Sequence, residues 1–390
     1  MGAGLVLAGA RLSLEVPMPL AVSSSRRALV LGLAAAPLAA PAFAATPYDA
    51  IVQRAEAPRR FRAPTYPSLS AAVAAAPANG TRPFRILVTK GLWDEQVVID
   101  KPFVHMVGED RKASIISHLA ASGLTAPDGK RWGTFRTPTL FVRAPDFAAR
   151  NLTIQNAFDG LAEMTRPGGL RSHDGGGPQA VALMLDKGSD RARLTEVDIL
   201  GYQDTLFPDA GRGLFERCLI AGSYDFIFGA GRAWFEDCEI RSRPRPADPV
   251  DGYVVAPSTP IEQPFGFVFH RCRLTKDAGT RRGSVYLGRP WRPSGQFPDG
   301  RYGDPRFVGA SAFIDCWMDN HVAPEGWTEM WYTGRDGNPR TMLQPEDARF
   351  AQYGARGPGA AAFRRGRGLT AAEARTYNRQ AVLAGWPSAA

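Results

Sequence analysis

The chain has 390 residues, 44% hydrophobic and 22% charged, which excludes a disordered polyelectrolyte and supplies apolar material for a sizeable core. Its 41 glycines and 32 prolines exceed ordinary usage but stay below the ~25–30% of low-complexity chains, so a turn-rich, β-leaning globular protein is predicted. The formal charge of +9 is carried mostly by arginine and suits a polyanionic partner, yet no run of five like charges marks a nucleic-acid tail.

Residues 1–44 read as an export signal. Arg26 and Arg27 supply the positive region, Ala28 to Ala40 the short apolar stretch, and Ala42-Phe43-Ala44 a cleavage site before Ala45. The paired arginines suit the twin-arginine route or the general one. No cysteine precedes Cys218, so a lipid anchor is not expected. No other stretch reaches the ~18 apolar residues of a membrane span, so the mature protein is placed in a periplasm or outside the cell. A length prior of ~150 residues per domain would give two or three domains, but the rest of the chain argues for one, over 45–390.

Past the signal, Leu69 to Ala76 reads as a short helix behind Pro67-Ser68. A six-residue pattern then recurs. Its clearest copies begin at Phe215, Phe235, Phe269 and Phe313 and place a cysteine fourth, at Cys218, Cys238, Cys272 and Cys316. Weaker copies begin at Ala149 and Leu194 and carry Leu152 and Val197 at the fourth place. Apolar residues at the fourth and sixth positions alternate as in a half-buried strand. Steps near 20 residues, lengthened by insertions, are the signature of a solenoid, here a single-stranded right-handed parallel β-helix of the all-β class with short capping helices. Stretches 122–138, 159–178 and 293–305 are the expected loops. Thr370-Ala-Ala-Glu373 has capping-box spacing and opens a helical stretch toward Trp386.

In-register residues on adjacent coils lie about 4.8 Å apart, within disulfide reach. In an oxidising compartment this predicts a Cys218–Cys238 bridge, with Cys272 and Cys316 either paired or left as buried thiols. The same register stacks Asp204 on Asp225, because each lies seven residues beyond a fourth position. Two carboxylates that close cannot both ionise freely, which suits an acid/base or nucleophile/acid pair. There is no G-x-S-x-G, H-E-x-x-H or P-loop motif, no C-x-x-C, and no ligand spacing among the histidines. No metal or cofactor is expected.

Gly201-Tyr-Gln-Asp-Thr-Leu206, Asp225-Phe-Ile-Phe-Gly229 and Leu287-Gly-Arg-Pro-Trp291 closely resemble the signature segments of pectin methylesterases. Gln179-Ala-Val-Ala-Leu183, Gly326-Trp327 and the segment 353–360 support the likeness, which spans roughly residues 60–386. Trp132-Gly-Thr134 and the tail Leu369 to Trp386 resemble the bacterial exported branch. The resemblance implies a β-helix that hydrolyses the C6 methyl esters of homogalacturonan through an aspartyl acyl-enzyme. It also implies a disulfide at the Cys218–Cys238 spacing. Asp225 would be the nucleophile, Asp204 the acid and then base, Gln179 and Gln203 the oxyanion donors, and Arg289 the cation beside Asp225. Trp291 and Phe228 would be sugar platforms, with Thr134, Phe207 and Met330 lining the pocket. Two departures stand out: Ser223-Tyr224 where the family often has Thr-Val, and Phe207 where a tyrosine is common. The partner is then methyl-esterified homogalacturonan, met by a monomer without nucleic acid. Competing readings are a related esterase or thioesterase acting on another ester, a pectate lyase, and a non-catalytic polysaccharide-binding β-helix.

Overall fold

The computed structural model describes residues 48–57, 62–170, 176–360 and 363–386. The segment read as an export signal lies outside them. Strand pairing is parallel throughout the three main sheets, of twelve, eight and seven strands, and the chain visits them in turn as it winds a right-handed β-helix. One coil runs through Ala192–Thr195 in the long sheet, Asp198–Leu200 in the middle sheet and Leu206–Pro208 in the third. The next runs through Arg212–Glu216, Leu219–Gly222 and Ile227–Gly229.

The six-residue repeat is the corner between the first two sheets. Its first position ends up inside: Phe215, Phe235, Phe269 and Phe313 pair in register and stack with ring centroids 4.4–4.7 Å apart. All four rings are fully buried. Removing one to alanine would cost about 3–5 kcal/mol, so this ladder is a main support of the core. The third position turns the chain. Asn151, Glu196, Arg217, Asp237, Arg271 and Asp315 all have φ between 51° and 57°, a left-handed conformation strained for side chains other than asparagine. Stacked corner side chains offset part of that cost, as Arg217 donates to Glu196 and Arg271 grips Asp237 with two hydrogen bonds.

The fourth position corrects an expectation. Cys218 and Cys238 are not bridged; all four cysteines are free and buried. Each thiol points at the main-chain carbonyl of the first residue of the preceding copy: Cys218 at Leu194, Cys238 at Phe215, Cys272 at Phe235 and Cys316 at Phe269, at 3.4–3.5 Å. Register allows the bridge, but each sulfur already serves as a weak donor between coils. Burial pushes the Cys218 and Cys272 thiols well above their usual range, so they stay protonated. Reductant should therefore leave the melting temperature unchanged. A thiol reagent should label no cysteine in the native protein and four after denaturation. A drop in melting temperature with reductant would restore the bridge.

The N-terminal end is covered as the pattern requires. The helix Leu69–Ala74 is capped by the Ser68 hydroxyl, which accepts from the Ala71 amide at 3.1 Å, and it buries Leu69, Ala72 and Val73. The C-terminal helices lie elsewhere: the Thr370 capping box opens Ala371–Ala374, a second short helix follows at Arg379–Val382, and Leu369, Val382 and Leu383 cover Leu214 and Trp234 on the outer face of the long sheet, midway along its strand order, where no coil end is exposed. The predicted loops carry small elements of their own: a 3-10 turn at Thr134–Arg136, a helix at Gly160–Thr165 and a hairpin of Ser294–Phe297 with Gly300–Gly303. No helix of the described residues is long and apolar enough to cross a membrane.

Candidate active site

The third sheet carries the site on its outer face. Leu206 pairs with Ile227, and Ile227 with Val255, so Asp204, Asp225 and Tyr253 occupy one column on three consecutive coils. Both acids sit in the turn before their strand with positive φ, 63° for Asp204 and 47° for Asp225. Such backbone costs about 1–3 kcal/mol per residue, and the surrounding segments hold it in place. Gly201 leaves no room for a Cβ beside Thr205, whose hydroxyl accounts for the carbonyls of Tyr202 and Ala221. At the third signature segment, a Cβ on Gly288 would stand 2.4 Å from Val255, so only glycine lets this coil come close enough to deliver Arg289. Pro290 then stiffens the chain into Trp291.

Asp225 and Arg289 are 7% and 9% exposed and form a two-point clamp, Nε to Oδ1 at 2.9 Å and Nη2 to Oδ2 at 2.6 Å. Two aromatic rings frame the guanidinium, Tyr253 at 4.0 Å and Tyr224 at 4.6 Å. Burial works against the arginine's charge, but Asp225 outweighs it and holds Arg289 charged more firmly than usual. Asp204 has the opposite environment. Burial, followed by the negative charge of Asp225, pushes its carboxyl well above the ordinary carboxylate range, and Arg289 and Arg245 only partly oppose this. One acid is therefore clamped by a buried cation beside one that stands protonated.

Gln179 and Gln203 meet across a parallel bridge between coils. The Gln179 side-chain oxygen accepts from the Gly177 amide at 3.0 Å and that of Gln203 from Arg245 at 3.4 Å. Among the described residues neither NH2 end has a hydrogen-bond partner, which leaves both for a substrate oxygen. The cleft, about 300 Å³, is lined by both glutamines, both aspartates, Arg289, Phe228, Trp291, Thr134 and Met330. Phe207 is placed differently. It is 1% exposed, stacked under Phe228 at 4.1 Å, and supports the platform without lining the cleft.

Phe135, Tyr224, Ala256 and Trp331 also line the cleft and went unassigned in the sequence. Tyr253 and Arg245 went unassigned as well. Tyr253 had a readable signal, since it continues the Asp204–Asp225 column, but its step of 28 residues hides the register. Phe135 and Trp331, both about 60% exposed, come from a loop and from the hairpin Met330–Tyr332, to which the coil repeat gives no access. Among the described residues no group of three or more His, Cys, Asp or Glu is placed to hold a metal ion.

A carboxylate clamped by arginine beside a protonated one, with amide donors alongside, can share nucleophilic attack and proton transfer on an acyl group. On a parallel β-helix that equipment defines an ester hydrolase. The sequence profile of the pectinesterase family matches residues 62–382, and the chain belongs to that family. It is 39% identical to Pectinesterase A of Dickeya dadantii over 92% of this chain and 96% of that protein. The pectin methylesterase of Erwinia chrysanthemi superposes with a TM-score of 0.82 at 39% identity, covering 88% of this chain and 99% of that one. A pectin methylesterase from Yersinia enterocolitica gives 0.78 at 38% identity over 82% and 99%. An alanine variant of a pectin methylesterase, 38% identical over 88% of this chain with a TM-score of 0.82, was solved in complex with a hexasaccharide.

Proposed function

We propose that this protein is a pectin methylesterase that hydrolyses the C6 methyl esters of homogalacturonan to pectate and methanol. The observation that carries the reading is the clamp of Arg289 on Asp225 one coil from a carboxyl held protonated. In the first half-reaction an Asp225 oxygen attacks the ester carbonyl carbon. The tetrahedral oxyanion is met by the amide donors of Gln179 and Gln203. As the C–O bond to the methoxy group breaks, Asp204 gives its proton to the departing oxygen and methanol leaves, with the galacturonyl group now on Asp225 as an anhydride. In the second half, the Asp204 carboxylate takes a proton from water, and the oxygen attacks the anhydride. Asp225 departs as a carboxylate, Asp204 is again protonated, and the sugar has gained a carboxyl. Trp291 and Phe228 offer apolar ring faces to the sugars. Residues 1–44 belong to this reading as an export segment removed from a monomeric enzyme.

Incubation with methyl-esterified pectin should release methanol. No methanol, or an unsaturated product absorbing in the ultraviolet, would overturn the reading, the second outcome in favour of a lyase.

The pH dependence follows from Asp204. Its folded pKa lies above its unfolded one, so the protonated form is favoured in the native site. Stability from this group is complete below the ordinary carboxylate range and is lost as pH rises through the raised folded value. Proton donation to methanol is lost over the same rise. The rate profile should therefore fall on its alkaline side in step with a loss of thermal stability. In Asp204→Asn that stability step should vanish while kcat falls by about 10²–10⁴-fold. A stability step that survives in Asp204→Asn would assign it to another group.

A further inference from the structure

We propose a second polysaccharide site on the outer face of the long sheet, a basic groove that holds demethylated homogalacturonan, the product of the cleft. This rests on the function proposed above. Strands Phe84–Val88, Val104–Gly108, Ala148–Arg150 and Ala192–Thr195 pair in order. Their register sets Arg85, His105, Ala148 and Arg193 in one column, and Leu87, Val107, Arg150 and Thr195 in the next. The short side chain of Ala148 interrupts the first column. A depression of about 680 Å³ opens there, walled by Arg85, His105, Arg150 and Arg193, with Tyr48 also in its lining. No carboxylate lines it.

Charge is the telling property. Arg85 and Arg150 are exposed, and among the described residues neither side chain forms an ion pair or hydrogen bond. The acids nearby are already engaged. Asp49 accepts from the Arg85 main-chain amide and from Arg82, Asp146 is gripped by Arg191, and Glu216 by Arg193 and Arg379. Two arginines thus remain uncompensated in a concave, carboxylate-free surface. His105 responds to this field: burial first, and then the charge of Arg85, hold its pKa below the usual value.

The two free cations stand two coils apart, about 10 Å along the helix axis at about 4.8 Å per step, a spacing that a linear polymer bearing a carboxylate on each sugar can span. A groove with a single tyrosine in its lining does not suit single-stranded nucleic acid, whose successive bases need a row of aromatic platforms. The cleft lies on a different sheet, so a chain end released from it can be retained without blocking it. Each turnover adds a carboxylate to the polymer, so affinity for this groove grows as demethylation proceeds.

The test compares the wild type with Arg85→Gln/Arg150→Gln by calorimetric titration with unesterified oligogalacturonate. Wild type should bind at two sites, cleft and groove, and the double variant at one. The groove affinity should weaken with salt and fall by about tenfold or more on loss of the two charges. Methanol release from a short, fully methylated oligogalacturonate should be unchanged in the variant, while KM for partly demethylated polymer rises. Arg85→Lys/Arg150→Lys should keep the second site. Equal stoichiometry in wild type and Gln variant overturns the proposal even if methanol is released. So does a variant that loses affinity for single-stranded DNA alone. Failure to release methanol from pectin would instead strike the functional reading.

Discussion

Replacing Asp225 by alanine should abolish methanol release, lowering kcat by about 10⁴-fold or more, the scale expected when a nucleophile that works as part of a unit is removed. The acyl-enzyme cannot form, and neither Gln179 nor Gln203 can replace the missing bond. The substitution also acts on stability, because Arg289 is left 9% exposed and charged with no carboxylate to face. Breaking such a buried pair costs about 3–5 kcal/mol, so activity must be read at a temperature where the variant is folded. Asp225→Asn separates the two effects. It keeps the shape and a hydrogen-bond acceptor for Arg289, so it should recover most of the stability and none of the methanol release. An alanine variant that remains active and folded would remove Asp225 from the mechanism.

Arg289→Met should be nearly as damaging, for a different reason. Here the orphan is Asp225, 7% exposed and without its two-point partner. A buried carboxylate stripped of its cation and of both hydrogen bonds is a poorly placed nucleophile. A loss of about 3–5 kcal/mol in stability is expected together with near-complete loss of kcat. Arg289→Lys should not rescue, since an ammonium can neither make the paired bonds nor keep the planar guanidinium's contacts with Tyr224 and Tyr253. The double variant Asp225→Asn/Arg289→Met, with no charge left unpaired, should be more stable than Arg289→Met alone and equally inactive. Thermal denaturation of the two singles and the double gives the coupling directly. Additive losses would mean that the clamp is not a unit.

Much of this site was readable from residue spacing, and the reason is the fold. In a stacked coil, sequence distance converts into spatial distance wherever the step is regular. The two 21-residue steps that carry Val197 to Cys218 and Asp204 to Asp225 are regular, so the acid pair could be placed before any coordinates. The step from Asp225 to Tyr253 is lengthened to 28, and the wall of the aromatic cage around Arg289 was lost with it. The fate of Phe207 depended on what lies above it, Phe228 and the loop bearing Phe135, and coverage by a loop leaves no trace in a strand's own alternation. The disulfide expectation failed at finer detail still. Register brings the cysteines within reach of one another, but it does not say whether the sulfurs join or remain thiols that also meet the carbonyls of the coil before.

The left-handed corners at Asn151, Glu196, Arg217, Asp237, Arg271 and Asp315 make each coil close upon its neighbour by a local rule that needs no information from distant parts of the chain. The molecule is therefore extensible. A coil inserted toward either end, with a strained third residue and an apolar first one, should lengthen the prism and leave the catalytic spacing untouched. A coil inserted between Asp204 and Asp225 should part the two acids by a full step and silence the enzyme without unfolding it. Catalysis here is tied to adjacency along one axis, and the length of the rest of the molecule is free to vary.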